Sequence, residues 1–148
     1  MATVLVDANL LVYAHDPAVA EKQNRSIEIL DHLYSAGIGC FSAQTLAEFF
    51  AATTRGKNPL LTAAKAFQQV ENLASSWVIL AVTRQVVIEA ARGVRAHKFS
   101  YWDSQLWAAA RLNQVPVIFT ENFNTGATVE GVRFVSPFLP GFQLAAWR

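Results

Sequence analysis

Short uninterrupted apolar runs, each followed by a stretch of helical periodicity, constrain this chain more than any other feature. Residues 3–6 (TVLV) start close to the N-terminus and show no alternation, so they read as a strand buried on both faces. Residues 38–42 (IGCFS), 78–82 (VILAV) and 115–119 (VPVIF) read the same way, and Arg133 to Val135 as a last short strand. Pro116 is confined to the first residues of its strand, where a missing N–H is tolerated. Between the strands, Ile27, Leu30, Leu33 and Tyr34 mark the apolar face of a helix from Glu21 to Ala36, with Gly37 as its stop. Ser42 is a candidate N-cap for a helix carrying Leu46, Phe49 and Phe50 that ends near Arg55-Gly56. Leu60, Ala63, Phe67 and Val70 mark a further amphipathic helix. Thr83 caps one running through Val87 and Val94, and Ser100 caps Tyr101 to Asn113, with Trp102, Leu106 and Ala109 on its apolar face. Strands alternating with helices predict βαβ units, a mostly parallel sheet and an α/β fold.

The chain's 148 residues suit one domain, 1–148, and no linker, low-complexity stretch or repeat divides it. Apolar residues make up 53% and charged residues 16%, the latter against about 25% in typical domains. That composition excludes intrinsic disorder and a charged tail, and it points to apolar surface covered by another subunit or partner. The single cysteine, Cys40, excludes a disulfide framework and a cysteine-based zinc site, and fits a reducing cytosol. No apolar stretch approaches the roughly 18 residues of a membrane span. No basic leader precedes the first apolar run and Asp7 interrupts it, so the expectation is a cytoplasmic protein without a signal peptide. A net charge of +1 neither demands nor excludes nucleic acid.

Four acidic residues fall at strand exits or in helices next to them. Asp7 directly follows the first strand. Ligands of open parallel sheets sit beyond the carboxyl ends of the strands, but Asp7 or Asn9 reads equally well as the cap of the helix containing Leu10, Leu11 and Tyr13. Glu48 stands among Leu46, Phe49 and Phe50 and is either part of a solvated stripe or aimed into a cleft. Asp103 lies in a first helical turn, where it also complements the helix dipole. Glu121 follows the strand ending at Phe119-Thr120, next to Asn122. Carboxylates converging in one cleft raise one another's pKa. A hard divalent cation relieves that repulsion: Mg²⁺, with Mn²⁺ as the alternative, takes oxygen ligands and suits phosphodiester hydrolysis.

The segments around these residues, VLVDANLLVYAHD (4–16), SAQTLAEFF (42–50), FSYWDSQLWAAA (99–110) and VIFTENFNTG (117–126), resemble in order and spacing the PIN domain, and more narrowly the VapC-type toxins of bacterial toxin–antitoxin pairs. The resemblance runs from residue 3 to about 135. It implies a small metal-dependent ribonuclease, built as a three-layer α/β sandwich with a central parallel sheet of four or five strands flanked by helices. It implies an RNA substrate, a cognate antitoxin and a homodimer. By position, Asp7, Glu48 and Asp103 match the family's three acidic residues, the expected metal ligands. Asn9 matches a small polar residue two positions after the first of them, and Thr120 a hydroxyl residue preceding the fourth site. There the chain departs from the pattern: many relatives read Thr-Glu-Asp-Phe, whereas this chain has Thr120-Glu121-Asn122-Phe123. Asn122 offers an oxygen without a charge, unless Glu121 substitutes.

Other chemistries find little in the sequence. His15, His32 and His97 show no metal-ligand spacing, and His15-Asp16 before Pro17 reads as a turn or as an edge of the cleft. No Gly-x-Ser-x-Gly and no phosphate-binding Gly-Lys loop occurs. A phosphatase using Asp7 as nucleophile wants a second Asp where Asn9 stands. A catalytically silent PIN-like module that binds RNA or protein is the rival of a different class. Arg92, Arg95 and Lys98 roughly share a helix face and form either a phosphate-tracking patch or a solvated surface, with Arg55 and Lys57 in a loop elsewhere. The aromatic tail 136–148, broken by Pro137 and Pro140, either packs back on its own core or docks on a partner.

Overall fold

The computed structural model describes residues 2–123 and 125–148. The elements in chain order are β1 (Val4–Val6), α1 (Ala8–Tyr13), α2 (Ala20–Ala36), β2 (Gly39–Ser42), α3 (Ala43–Thr54), α4 (Ala63–Ser76), β3 (Val78–Leu80), α5 (Arg84–His97), α6 (Tyr101–Leu112), β4 (Val117–Phe119), β5 (Thr128–Val129) and β6 (Val132–Val135). Short 3₁₀ turns occupy Pro17–Val19 and Leu144–Ala146. The sheet order is β3-β2-β1-β4-β6-β5, parallel throughout except for β5. The five parallel strands match the expected sheet. The sixth, β5, is an antiparallel edge strand of two residues, too short to leave a periodic signal. It is joined to β6 by the turn Glu130-Gly131, both at positive φ (47° and 85°), the backbone that a two-residue hairpin requires.

Each central strand is buried on both faces because its side chains alternate between two cores. Val4, Val6, Phe41, Val117, Phe119 and Val135 face one layer, with Leu10, Leu11, Ile29 and Leu33 of α1 and α2. Leu5, Cys40, Ile118 and Phe134 face the other, with Val86 and Ala90 of α5 and Leu106 to Ala110 of α6. The result is a three-layer sandwich. Burial pushes the Cys40 thiol up to about 12, so it stays protonated and inert. Among the described residues no helix is long and apolar enough to cross a membrane.

Several side chains expected on apolar helix faces point outward. Phe67 of α4 is 58% exposed, and Tyr34, Val87 and Trp102 are exposed too. On α4 only Ala66 is fully buried, because that helix lies at the periphery against α3. On α6, Trp107 takes the inward position beside Leu106, not Trp102. Helix α6 starts as expected: Ser100 Oγ accepts from Asp103 N at 3.3 Å. Helix α4 starts at Ala63 behind the cap Thr62, so Leu60 and Leu61 lie in the preceding loop.

Close contact between α5 and α6 depends on Gly93. A Cβ there would lie 2.3 Å from Ser104 Oγ and 2.8 Å from the Trp107 ring, and Ser104 Oγ is fixed by donating to Ala90 O at 2.7 Å. Gly93→Ala gains about 1 kcal/mol of helix propensity but meets an overpacking cost of about 1–3 kcal/mol. A net loss of about 1 kcal/mol is therefore expected in urea denaturation.

Arg92 donates to Glu89 (2.6 Å) and Glu130 (2.8 Å), His97 meets Glu130 at 2.6 Å, and Arg111 pairs with Glu89. This network ties α5 and α6 to the β5–β6 turn. Arg92 therefore does not belong to a free phosphate-tracking face. The tail lies on the chain's own core: Phe142 and Trp147 stand edge-on to Phe119 at 5.4 and 4.9 Å. His32 Nε2 meets Trp147 O at 2.6 Å, and Arg25 donates to Pro137 O and Phe142 O, both at 3.3 Å.

Candidate active site

The sheet reverses direction of travel at β1: β2 and β3 extend to one side, β4 and β6 to the other. Such a switch point opens a crevice beyond the strand ends. The β1–β4 register pairs Val6 with Phe119, so the next residues along, Asp7 and Thr120, stand side by side at its mouth. Asp7 N donates to Phe119 O at 3.0 Å, which prolongs the ladder by one step.

Asp7 caps α1 and faces the crevice at once, so the two readings of it coexist. Its Oδ1 accepts from Ala8 N at 2.7 Å. Its Oδ2 accepts from Thr120 Oγ1 at 2.7 Å and from Asn122 Nδ2 at 3.3 Å. Asn122 N in turn donates to Thr120 Oγ1 at 3.1 Å. The side chain is only 6% exposed. Burial raises its pKa to about 6; the bonds from Thr120 and Ala8 N oppose the rise, and the charges of Glu48 and Asp103 add to it.

Helix α3 brings Glu48 to the same crevice. Ser42 and Thr45 form a reciprocal capping box, and Thr45 Oγ1 donates to Val6 O at 3.3 Å, fastening the first turn of α3 to the end of β1. Glu48 lies one turn further along that face. It lines a cleft of about 290 Å³ together with Asp7, Asn9, Tyr13, Arg55 and Asn122. Asn9 contributes an amide whose Oδ1 and Nδ2 are both buried and without a hydrogen-bond partner among the described residues. Asp103, half-buried in the first turn of α6, does not line this cleft, but its charge acts on Asp7 and adds to the rise in its pKa.

Glu121 does not join them. Its carboxylate accepts from Tyr13 OH and from Lys22 Nζ, the latter at 2.9 Å. Of the two residues weighed for the fourth position, Asn122 is the one beside Asp7. Among the described residues no three His, Cys, Asp or Glu side chains close around a single point tightly enough to hold an ion. His15 packs against Phe49 at 5.4 Å, and Asp16 caps the following 3₁₀ turn through Ala18 N at 3.0 Å, so that pair forms a turn and not a cleft edge.

Two residues at the site, Gln44 and Gln105, are passed over by the sequence reading. Gln44 Nε2 donates to Glu48 Oε1 at 2.6 Å and to Trp102 O at 2.9 Å, and Gln44 Oε1 accepts from Gln105 Nε2 at 2.9 Å. Tyr101 OH donates to Gln105 Oε1 at 2.9 Å and ends the chain of bonds. These amides join Glu48 on α3 to the start of α6. Gln44 precedes Glu48 by one helical turn, a spacing that could have flagged it.

An α/β sandwich with polar and acidic side chains gathered at its switch point defines the class. Residues 4–125 match the PIN domain, and the chain belongs to that family. No curated protein sequence matches it. Among solved structures, DNA-bound VapBC from Salmonella typhimurium is 19% identical with a TM-score of 0.65, covering 92% of this chain and 98% of that one. VapC20 of Mycobacterium tuberculosis, a sarcin–ricin loop cleaving toxin, is 16% identical with a TM-score of 0.64, covering 88% and 98%. FitAcB from Neisseria gonorrhoeae is 19% identical with a TM-score of 0.62, covering 91% and 98%. At these identities the likeness is one of fold.

Proposed function

We propose that this chain is a divalent-metal-dependent endoribonuclease and the toxin of a toxin–antitoxin pair. The observation that carries the reading is Asp7: a buried carboxylate at the sheet's switch point, held by Thr120 and Asn122 and loaded by the charges of Glu48 and Asp103. Membership of the PIN family supports it, as do the VapBC complexes and the RNA-cleaving toxin among the fold's neighbours.

The residues suit a hard cation in kind. Asp7, Glu48, Asn9 and Asn122 carry oxygens at the cleft that Arg55 also lines, the Asn9 amide is buried and unsatisfied among the described residues, and Mg²⁺ is commonly held by only one or two carboxylates plus water and substrate phosphate. Asp7, Glu48 and Asp103 would hold it, with the oxygen of Asn9 or Asn122 completing the set. When bound, the ion supplies charge neutralisation at the phosphate and a lowered pKa for attacking water. Thr120 and Asn122 keep Asp7 Oδ2 turned to the crevice, and Gln44 holds Glu48 on its side of it. Burial by β1 and β4 excludes water from behind Asp7. The exposed Phe67, Ile88 and Val87 leave apolar surface for an antitoxin or a second copy.

A second reading, a PIN-like module that binds RNA without turnover, draws on the failure of three acidic side chains to close around one point. Total cellular RNA incubated with the purified chain separates the two. Fragmentation in Mg²⁺, absent with EDTA and absent for Asp7→Asn, is expected. Intact RNA under all conditions, or cleavage that survives Asp7→Asn, contradicts the enzyme.

Asn122→Asp places a charge where Asn122 now donates to Asp7. Part of its attraction for the ion is lost to repulsion by Asp7, so the expected gain in metal affinity is about tenfold, or about 1.4 kcal/mol. Glu121→Gln is expected to leave the titration nearly unchanged, since Glu121 is engaged with Lys22 and Tyr13. Isothermal titration with Mn²⁺ checks both. The reverse ranking would assign the fourth position to Glu121.

A further inference from the structure

Beside the carboxylate cleft, and sharing Glu48, Ala52 and Arg55 with it, lies a groove of about 700 Å³ between α3 and the start of α6. Ala47 and Ala51, one turn apart on α3, keep one wall low. Trp102 stands on the other with 63% of its surface exposed. Its position is fixed: the Trp102 carbonyl accepts from Gln44 Nε2, and the indole stands edge-on to Tyr101 at 5.1 Å and 85°. Gln105 lines the groove and, among the described residues, uses only one of its two amide hydrogens, on Gln44. Arg55, where the groove meets the carboxylate cleft, has no ion-pair partner among the described residues, unlike Arg92 and Arg111.

We propose that this groove is a nucleotide subsite, in which an unpaired base next to the scissile phosphate stacks on Trp102 while Arg55 holds a flanking phosphate. The proposal rests on the ribonuclease reading and adds to it where the nucleotide beside the scissile phosphate would sit. A nucleobase has a flat π face and polar edges. The groove offers an exposed indole face, an alanine wall that leaves room for a ring, and an amide able to meet a base edge. An apolar protein surface seated there would bury the free Gln105 N–H and the Arg55 charge without partners, at a cost that a nucleotide avoids. The shared wall leads a strand bound in the groove on to Asp7 and Glu48.

The test uses a short 5′-fluorescein-labelled single-stranded RNA with no self-pairing, Mg²⁺, and Asp7→Asn as the parent so that the probe stays intact. Trp102→Leu keeps apolar bulk and removes the π face. It is expected to weaken binding about tenfold, as loss of one base stack does, whereas Trp102→Tyr retains most of the affinity. Arg55→Gln is expected to weaken binding and lower the slope of log K against log salt by about one. RNA binding by Trp102→Leu equal to the parent's overturns the subsite while leaving the ribonuclease intact. So does a shift from dimer to monomer on sedimentation of Trp102→Leu with RNA affinity unchanged, which would make the groove a protein interface. A parent that binds no RNA, together with a wild type that cleaves none, removes both readings.

Discussion

Asp7→Asn is expected to abolish RNA cleavage and, in the absence of metal, to make the protein more stable. Both effects come from the same carboxylate. Cleavage should fall by about a thousandfold or more, about 4 kcal/mol of barrier, because the carboxylate that Thr120 and Asn122 both hold loses its charge. Stability moves the other way. The folded-state pKa of Asp7 is raised from 3.8 to about 6, chiefly by burial. A raised pKa means that the folded state holds the proton more tightly than the unfolded chain does. The stabilisation is fully present below pH about 3.8 and is lost as pH rises through about 6. Above that, ionised Asp7 costs the metal-free fold up to about 3 kcal/mol, a cost that the amide does not carry. The side chains around it accommodate the change: the Thr120 hydroxyl can accept as well as donate, and the Asn122 amide can turn its oxygen to the new NH2 in place of its nitrogen. Urea denaturation in EDTA should therefore show the variant equal to wild type near pH 4 and more stable at pH 7.5. Added Mg²⁺ should raise the melting temperature of the wild type and leave that of the variant unmoved. A variant less stable than wild type at pH 7.5 in EDTA would mean that the cap and hydrogen bonds of Asp7 outweigh the cost of its buried charge.

Trp107→Ala is expected to cost about 3–5 kcal/mol, the range for deleting a fully buried aromatic. Trp107 is 0% exposed and is the largest side chain of the core between the sheet and the α5–α6 layer. Its Nε1 donates to Val129 O at 3.1 Å, tying α6 to the short β5 strand. Its ring stands edge-on to Phe99 and His97 at 5.6 and 5.5 Å and lies against Gly93. Deletion leaves a cavity and an unpaired carbonyl at the weakest edge of the sheet. Scanning calorimetry should place the melting point about 10–15 °C lower. Asp103 lies one turn before Trp107 on the same helix, so residual activity should fall more steeply with temperature than in the wild type. A shift of only a few degrees would mean that the α5–α6 layer closes over the cavity.

The parallel sheet was legible because a strand buried on both faces writes an unbroken apolar run, as Val4 to Val6 and Val117 to Phe119 do. Asp7 and Glu121 were legible as strand-exit residues for the same reason. What local patterns do not encode is which strands are neighbours. Asp7 meets Thr120 only because β1 pairs with β4 at a register that aligns Val6 with Phe119, a contact across more than a hundred residues of chain. The partition between Glu121 and Asn122 follows from side-chain direction just past a strand: one turns to Lys22 and Tyr13, the next to Asp7. Helix faces were legible only in part: Leu106 and Ala109 are buried as expected, but Trp102 points outward and Trp107, beside Leu106, fills the inward place. The two-residue strand β5 and the Gln44–Gln105 amide pair leave no periodic trace, and both depend on long-range partners.

Asp7, Glu48 and Asp103 are proposed to act together as one metal centre. Its most direct test is calorimetric titration of Mn²⁺ into the wild type, Asp7→Asn, Glu48→Gln and Asp103→Asn, with circular dichroism confirming that each is folded. The expected result is saturable binding by the wild type and loss of that binding in all three variants. Binding by Glu48→Gln and Asp103→Asn indistinguishable from the wild type would contradict a shared centre.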